Sequence, residues 1–356
     1  MVEIDGSFLE GGGQILRTSL ALSAVTGKPF AIRSIRKARR NPGVRAQHLH
    51  AVQAAQKLCN AEVSRAAVGS RELTFKPQRL QTRDLSIDIG TAGSITLLMQ
   101  AILLPAVFGG RNITVAVKGG TDVAWSQPFD YFKHVLLPYI RPFGSVEAEL
   151  VRRGYYPRGG GEVRLHVRPE LDLSFYENFS DFADHIKTKL PGMNLVQRGG
   201  LNAVHGVSHA SKNLKTVAGR QANQAAAVLE TLGCPVSIER ENWDSYCPGS
   251  GITLWASFEH DKWPVALGGD SLGKRGKPAE KVGEEAADSL IREIQSGASV
   301  DSYLADQLLP WIVFLPSARF KTSSLTDHCR TNMYVIEKFI PVKFESHDNS
   351  ISVVSQ

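Results

Sequence analysis

The sequence predicts an α/β (α+β) fold assembled from a repeated unit, and three observations carry that expectation. A pattern of helix, strand, helix and then strands recurs three times along the chain. In each copy a loop joins the middle strand to the second helix, so three equivalent loops are available to converge on one site. Between the second and third copies, roughly 130 residues depart from the pattern and carry strand and helix signals of their own.

Taken in order, the first copy has "GGGQILRTSLALSAVTGK" as a Gly-led helix, "PFAIRSIR" as a strand and "PGVRAQHLHAVQAAQKL" as a helix. Alternating strands follow around "AEVSRAAVG" and "ELTFKP". The second copy has helix "TAGSITLLMQAILLPAVFGG", strand "NITVAVKGG", helix "PFDYFKHVLLPYIRPFG" and strands including "GEVRLHVRP". The third has helix "SYLADQLLPWIVFL", strand "ARFKTSS", helix "TDHCRTNMYVIEKF" and strands "PVKFES" and "ISVVS". The interrupting stretch contains "GLNAVHGVSHA", "GRQANQAAAVLETLG", "PVSIERE" and "GITLWASFEH", which read as a small inserted α/β domain. An amphipathic helix, "EKVGEEAADSLIREIQSG", then leads back to the last copy. The expected organisation is a repeat body of residues 1–184 and 276–356, with the insert at 185–275.

With 356 residues and 42% hydrophobic content, the chain is long enough for a large buried core. No apolar run approaches the roughly 18 residues of a membrane span, and "MVEIDGSF" lacks the features of a signal peptide. A cytoplasmic protein without a membrane partner is expected. Cys59, Cys234, Cys247 and Cys329 have no CxxC spacing, so they are expected to be free thiols. The net charge of +6 favours a polyanionic partner, and the distribution favours it more strongly. Arg33, Arg36, Lys37, Arg39, Arg40 and Arg45 crowd "RSIRKARRNPGVR" without an acidic residue, which points to phosphate or nucleic acid over a plain solvated loop.

Candidate chemistry follows from a few short stretches. "EGGGQILR" sets three glycines before a helix, where freed backbone amides can cradle an anion, with Arg17 one turn in. Glu10 beside that turn offers the hard oxygen ligand that suits a divalent metal bridging phosphates. "GGDSLGKR" nearly spells a P-loop but ends in Arg275, offers no hydroxyl, and reads as a flexible basic loop. Tyr303, Asp306 and Gln307 share a helix face; by spacing alone they suit solvent-facing positions beside Leu304, Leu308 and Trp311 as well as nucleotide contacts. His48, His50 and His134 read as ordinary helix residues, and His205 with His209 lacks the further ligands a zinc site needs. His328 differs because it begins a helix in the loop equivalent to the basic one. A neutral imidazole is nucleophilic near neutral pH, so both a helix-start role and a catalytic role remain open for it on these grounds.

Seven motifs in order, "DGSFLEGGGQILR", "RKARRNPGVRAQHL", "TAGSITLLMQ", "GGTDVAWSQP", "YYPRGGGEV", "LADQLL" and "HCRTN", resemble the RNA 3'-terminal phosphate cyclase family from Asp5 to about Phe344. The resemblance implies three units like the C-terminal domain of translation initiation factor 3, plus a small α/β insert. It implies ATP and Mg²⁺ or Mn²⁺ as cofactors and RNA with a 3'-terminal phosphate as substrate, converted to a 2',3'-cyclic phosphate. The implied route passes through histidine-AMP and RNA(3')pp(5')A. The nucleophile falls on His328 and the metal-associated glutamate on Glu10. Nucleotide-binding positions fall on Gln14, Arg17, Gln100, Tyr303, Asp306 and Gln307, with Tyr303 stacking on adenine; RNA-end positions fall on Arg36, Arg39 and Gln47. The sequence departs from the family at the other adenine wall, where Gln127 precedes Pro128 in place of the usual proline. Two alternatives share the architecture. Cyclase-like RNA-binding factors of ribosome assembly lack the nucleophilic histidine, and enolpyruvyl transferases have six units where this chain has three.

Overall fold

The computed structural model describes residues 1–355. The first unit contains β1 (Val2–Asp5), α1 (Gly13–Thr26), β2 (Phe30–Arg33), α2 (Ala46–Cys59), β3 (Glu62–Ser64) and β4 (Leu73–Lys76). The second contains β5 (Leu85–Asp88), α3 (Ile95–Val107), β6 (Ile113–Gly119), α4 (Phe129–Tyr131), α5 (Leu137–Ile140), β7 (Gly144–Arg152) and β8 (Gly161–Pro169). Helix α6 (Phe179–Lys189) then leads to β9 (Met193–Leu195). The interrupting stretch forms β10 (Leu201–Ser211), α7 (Val217–Leu229), β11 (Val236–Trp243), β12 (Ser250–Phe258), β13 (Val265–Leu272) and α8 (Ala279–Gln295). The chain ends with α9 (Ser302–Ile312), β14 (Ala318–Lys321), α10 (Asp327–Phe339), β15 (Val342–His347) and β16 (Ser350–Ser355).

Each repeat is a four-stranded sheet of one topology: β1-β2-β4-β3, β5-β6-β8-β7 and, read from its other edge, β9-β14-β16-β15. The first two strands of each sheet run parallel and the remaining pairs antiparallel. Every repeat therefore begins with a strand before its first helix, which the sequence pattern omitted. For the third repeat that strand is β9, which lies ahead of the interruption and pairs in register with β14. The inserted sheet has the order β11-β10-β12-β13, and α8 packs on α7, β12 and β13 of this same sheet. On this pairing we infer that the insert runs from β10 to α8, a later and longer stretch than residues 185–275.

Helices α1, α2, α3, α9 and α10 gather at the centre. Helix α3 is apolar nearly all round, with Leu98, Met99, Ile102 and Val107 each at most 1% exposed, as a core helix must be. Its polar interruptions, Thr96 and Gln100, lie one turn apart on a single face. The second helix of the second repeat is broken. A π-turn spans Phe132–Leu136 between α4 and α5, because Pro138 has no N–H to continue the regular ladder. "GGDSLGKR" corrects half of its reading as a flexible loop: Gly268–Leu272 belong to strand β13 (Val265–Leu272), and only the basic end, Gly273–Arg275, lies in the loop that follows. Its glycines serve close packing, since a Cβ on Gly268 would sit 2.2 Å from the Tyr131 ring and one on Gly269 would sit 2.6 Å from the Leu290 backbone of α8. No helix among the described residues is long and apolar enough to cross a membrane, and all four cysteines are free.

A buried charge cluster locks the insert to the second repeat. Arg153 is fully buried, with Nη1 2.8 Å from Asp130 Oδ2 and 3.2 Å from Asp122 Oδ1, and Nη2 2.8 Å from Glu241 Oε2 of β11. His209 of β10 adds Nε2 at 3.1 Å from Asp122 Oδ1, and its Nδ1 lies 2.8 Å from the Tyr155 hydroxyl. Burial opposes the charge on Arg153, but Asp130 and Asp122 outweigh it and hold its pKa well above the ordinary value. Asp122, Asp130 and His209 are close enough together to hold a cation. The guanidinium fills that role. Replacing Arg153 with Met should leave these acids uncompensated and lower stability by about 3–5 kcal/mol, read as a shift of the urea midpoint at constant slope. A loss below about 1 kcal/mol would mean that solvent reaches the cluster.

Candidate active site

Four helix N-termini meet at one place. Gly13 opens α1 directly beneath His48 of α2, where a Cβ would stand 2.0 Å from His48 Nε2, so only glycine permits the approach. Ser94, the N-cap of α3, donates its backbone N–H to Gln47 Oε1 on α2 at 3.0 Å. His328, on the first turn of α10, places Nδ1 2.5 Å from Gln14 Oε1 on α1. Helices α1, α2 and α3 carry no acidic residue in their first turns, and α10 carries only Asp327. Their positive ends are thus largely uncompensated, a setting for phosphate.

Gln14 is the hub of this cluster. Its Nε2 donates to Asp306 Oδ2 on α9 at 2.5 Å, so its oxygen is turned to His328. An amide oxygen accepts only, so the hydrogen of a neutral ring belongs on Nδ1. That leaves the Nε2 lone pair facing Glu10 Oε2 at 2.9 Å. Arg39 Nη2 lies 3.2 Å from the same oxygen, yet this oxygen is buried and accepts no well-aligned hydrogen bond. Two lone-pair atoms at that separation call for a positive charge between them.

His328 is 46% exposed at its side chain, open enough for a reactant to approach. Its pKa is lowered, first by desolvation and then by Arg17 and Arg39, with Glu10 opposing. The neutral ring therefore dominates at pH 7. Arg17 is buried, and burial pushes its pKa down to about 10, so it stays charged; Nε donates to Gln100 Oε1 at 3.1 Å. Gln100 Nε2 donates in turn to Gln307 Oε1 at 3.3 Å, and Gln307 Nε2 to the Tyr303 carbonyl at 2.9 Å. Burial raises the Asp306 carboxyl to about 7 against the pull of Arg17. Tyr303 is 48% exposed at the rim. At the expected second adenine wall, the Gln127 carbonyl accepts from Thr96 Oγ1 at 2.8 Å, while Pro128 is buried at the start of α4.

The structure thus gathers Glu10, Gln14, Arg17, Arg39, Gln47, Gln100, Tyr303, Asp306, Gln307 and His328. Arg36 does not join them. Its backbone is left-handed (φ +53°) and Nη1 donates to the carbonyls of Asn41 and Gly43 at 2.7 and 3.0 Å, so the side chain braces its own loop. His48 keeps its packing role: burial, with Arg17, Arg36 and Arg45 nearby, lowers its pKa to about 3, and Nδ1 accepts from the Arg45 N–H. Sequence reasoning missed Asn332, one turn beyond His328, which accepts from Thr18 Oγ1 at 2.7 Å and donates to the Asp306 carbonyl at 2.7 Å. The i, i+4 spacing inside "HCRTN" was the available signal. It also missed Asp301, which caps α9 by accepting from the N–H groups of Tyr303 and Leu304, and which accepts from the Tyr131 hydroxyl and the Gly268 N–H.

Comparison with known proteins adds an independent line. A family model described as RNA 3'-terminal phosphate cyclase matches residues 8–346. An RNA 3'-terminal phosphate cyclase of Archaeoglobus fulgidus is 45% identical over 352 residues, covering 98% of each chain. Its counterpart in Pyrococcus furiosus is 44% identical, covering 97% of this chain and 95% of its own. The Thermococcus kodakarensis protein of that name is 46% identical, covering 97% and 94%.

The electrostatics of His328 can be read chemically. Carbethoxylation of His328, followed by peptide mass spectrometry across about pH 5 to 8, should titrate below the ordinary histidine value of about 6.5. Because Glu10 raises that pKa, Glu10→Gln should move the titration lower still. An unchanged titration would show that Glu10 does not face the ring.

Proposed function

The chain belongs to the RNA 3'-terminal phosphate cyclase family, and from that membership we propose that it cyclises RNA ends by three successive transfers centred on His328. The family assignment makes it an enzyme of the cyclase type. The observation that carries the proposed route is the Gln14 bridge, which supports a ring with Nδ1 protonated and Nε2 free.

In the first transfer His328 Nε2 attacks the α-phosphorus of ATP; the N–P bond forms, the bond to the bridging oxygen breaks, and pyrophosphate leaves. Nδ1–H stays on Gln14 Oε1, which stabilises the positive charge the ring acquires. In the second, an oxygen of the RNA 3'-phosphate attacks the adenylyl phosphorus. The N–P bond breaks, His328 recovers its lone pair, and RNA(3')pp(5')A forms. In the third, the adjacent 2'-hydroxyl attacks the 3'-phosphorus, loses its proton and expels AMP, closing the 2',3'-cyclic phosphate. There is little covalent work for the protein beyond His328, so positioning and charge neutralisation should dominate.

The four helix N-termini, Arg17 and Arg39 suit the phosphates, and Gln47 suits the RNA end. Tyr303 and Gln127 suit the two faces of adenine, with Asp306 and Gln307 at its edge. Glu10 fits a divalent metal: its buried Oε2 lacks a hydrogen-bond donor, and a lone carboxylate completed by phosphate oxygens is the usual Mg²⁺ or Mn²⁺ arrangement in phosphoryl transfer. When bound there, the metal supplies charge neutralisation for the triphosphate.

A trapped intermediate tests the route. With ATP labelled at the α-phosphate, the parent protein should acquire an acid-labile AMP label that His328→Asn lacks. RNA with a 2'-deoxy terminal ribose and a 3'-phosphate should then accumulate as the AMP adduct, because the last nucleophile is missing. Full labelling of the Asn variant, or loss of the RNA adduct while protein-AMP persists, would overturn the proposed order.

A further inference from the structure

The motifs "GGTDVAWSQP" and "YYPRGGGEV" supply little to the chemistry above, yet they hold unusual side chains. Trp125 is 98% exposed, Tyr156 77% and Tyr246 of the insert 61%. Large aromatic rings that contribute so little to a core are uncommon at a surface without a partner. Trp125 also holds a left-handed backbone (φ +70°), a conformation a bulky residue adopts only when its loop imposes it.

The three loops are tied to one another and to the site. The N–H groups of Thr121 and Asp122 both donate to the Gly154 carbonyl, at 2.9 and 3.3 Å, and the Gly154 N–H returns a bond to Thr121 Oγ1 at 2.9 Å. Tyr246 packs against Gly160, where a Cβ would meet its ring at 2.0 Å. Arg152 covers Tyr246 with its guanidinium 4.3 Å from the ring centre, and is itself anchored by Nε donating to the Gly160 carbonyl at 2.6 Å. Gly159 presses on the backbone of Thr91 and Gly119, next to the α3 N-terminus where Gln47 binds Ser94. Arg158 is exposed on the same turn, with Asp244 as the exposed acid nearest Tyr246 in sequence.

We propose that these rings form a ledge, across the seam between the second repeat and the insert, on which unpaired bases of the RNA substrate stack as the strand leaves the active site. This rests on the reading of the substrate as RNA and deepens it by assigning the insert a share of the binding surface. Every base presents a π-face, so stacking tolerates sequence, and the Tyr246 ring, held by Gly160 and Arg152, loses little freedom on binding. The ledge is less basic than the "RSIRKARRNPGVR" loop. Its contribution should therefore depend weakly on salt, where phosphate contacts depend steeply.

The test compares a 3'-phosphorylated dinucleotide with a longer single strand, in the full-length enzyme. The longer substrate should have the lower KM. Trp125→Ala, Tyr156→Ala and Tyr246→Ala should each raise that KM by about 10-fold, leaving kcat, the dinucleotide KM and protein-AMP formation unchanged, with Trp125→Phe restoring most of the loss. Abasic residues placed along the longer strand should raise KM in the parent and not in the triple variant. Normal protein-AMP with no length dependence, or equal KM increases on both substrates, would overturn the ledge while leaving the cyclase chemistry intact. So would a parent protein that sediments as a dimer with variants that sediment as monomers. Failure of protein-AMP formation in the parent would instead overturn the adenylylation route itself.

Discussion

One side-chain amide governs the candidate site. Gln14 touches His328 through its oxygen and Asp306 through its nitrogen, joining the first helix of the first repeat to both helices of the third. An amide can orient an imidazole without charging it. A carboxylate in that position would favour the imidazolium, which has no lone pair to offer. The surroundings push the same way: desolvation with Arg17 and Arg39 outweighs Glu10 and keeps the His328 pKa low. The positive helix ends act on a bound phosphate as well as on the ring. Each is worth about 0.3–1 kcal/mol at a surface, more where partly buried, so their convergence matters more than any single one.

Convergence requires that the repeats hold their mutual positions, and two buried polar groups contribute to this by different means. Asp301 is satisfied chiefly by hydrogen bonds from Tyr131, Gly268 and the α9 backbone, and burial with nearby Glu293 still raises its pKa to about 6. It thereby sets the start of α9, and with it Tyr303, against the insert. Arg153 is held instead by acids from the second repeat and the insert. Removing either partner leaves a buried charge exposed to no solvent, which is why the insert is best regarded as a wall of the body and not a pendant.

The legible part of the fold was its long, periodic part. Helices α1, α3, α9 and α10 follow from apolar spacing, and short strands such as β2 and β14 were legible because a periodic helix stands on either side, whereas β1, β5 and β9, equally short, have a helix pattern of the repeat on one side only. β9 was further concealed because its partner β14 lies beyond the insert, and pairing over such a separation leaves no local trace. "GGDSLGKR" misled because glycines that admit Tyr131 and α8 look like glycines of a loop. Among site residues, Tyr303, Asp306 and Gln307 were visible as one helix face but ambiguous in role, and the family motifs supplied the choice. Arg36 was read from the charge of its segment and from the family motifs, and no sequence rule revealed that its guanidinium turns back to its own loop. Asn332 was spaced to be found and was passed over.

The central claim is that Gln14 keeps the hydrogen on Nδ1 and leaves Nε2 of His328 bare. Nitrogen NMR of ¹⁵N-histidine-labelled protein with Mg²⁺ present reads this directly, with His328→Asn used for assignment. The account predicts a protonated, pyrrole-type signal for His328 Nδ1 and an unprotonated, pyridine-type signal for Nε2, a preference lost in Gln14→Ala. The reverse pattern, with the hydrogen on Nε2, would contradict it.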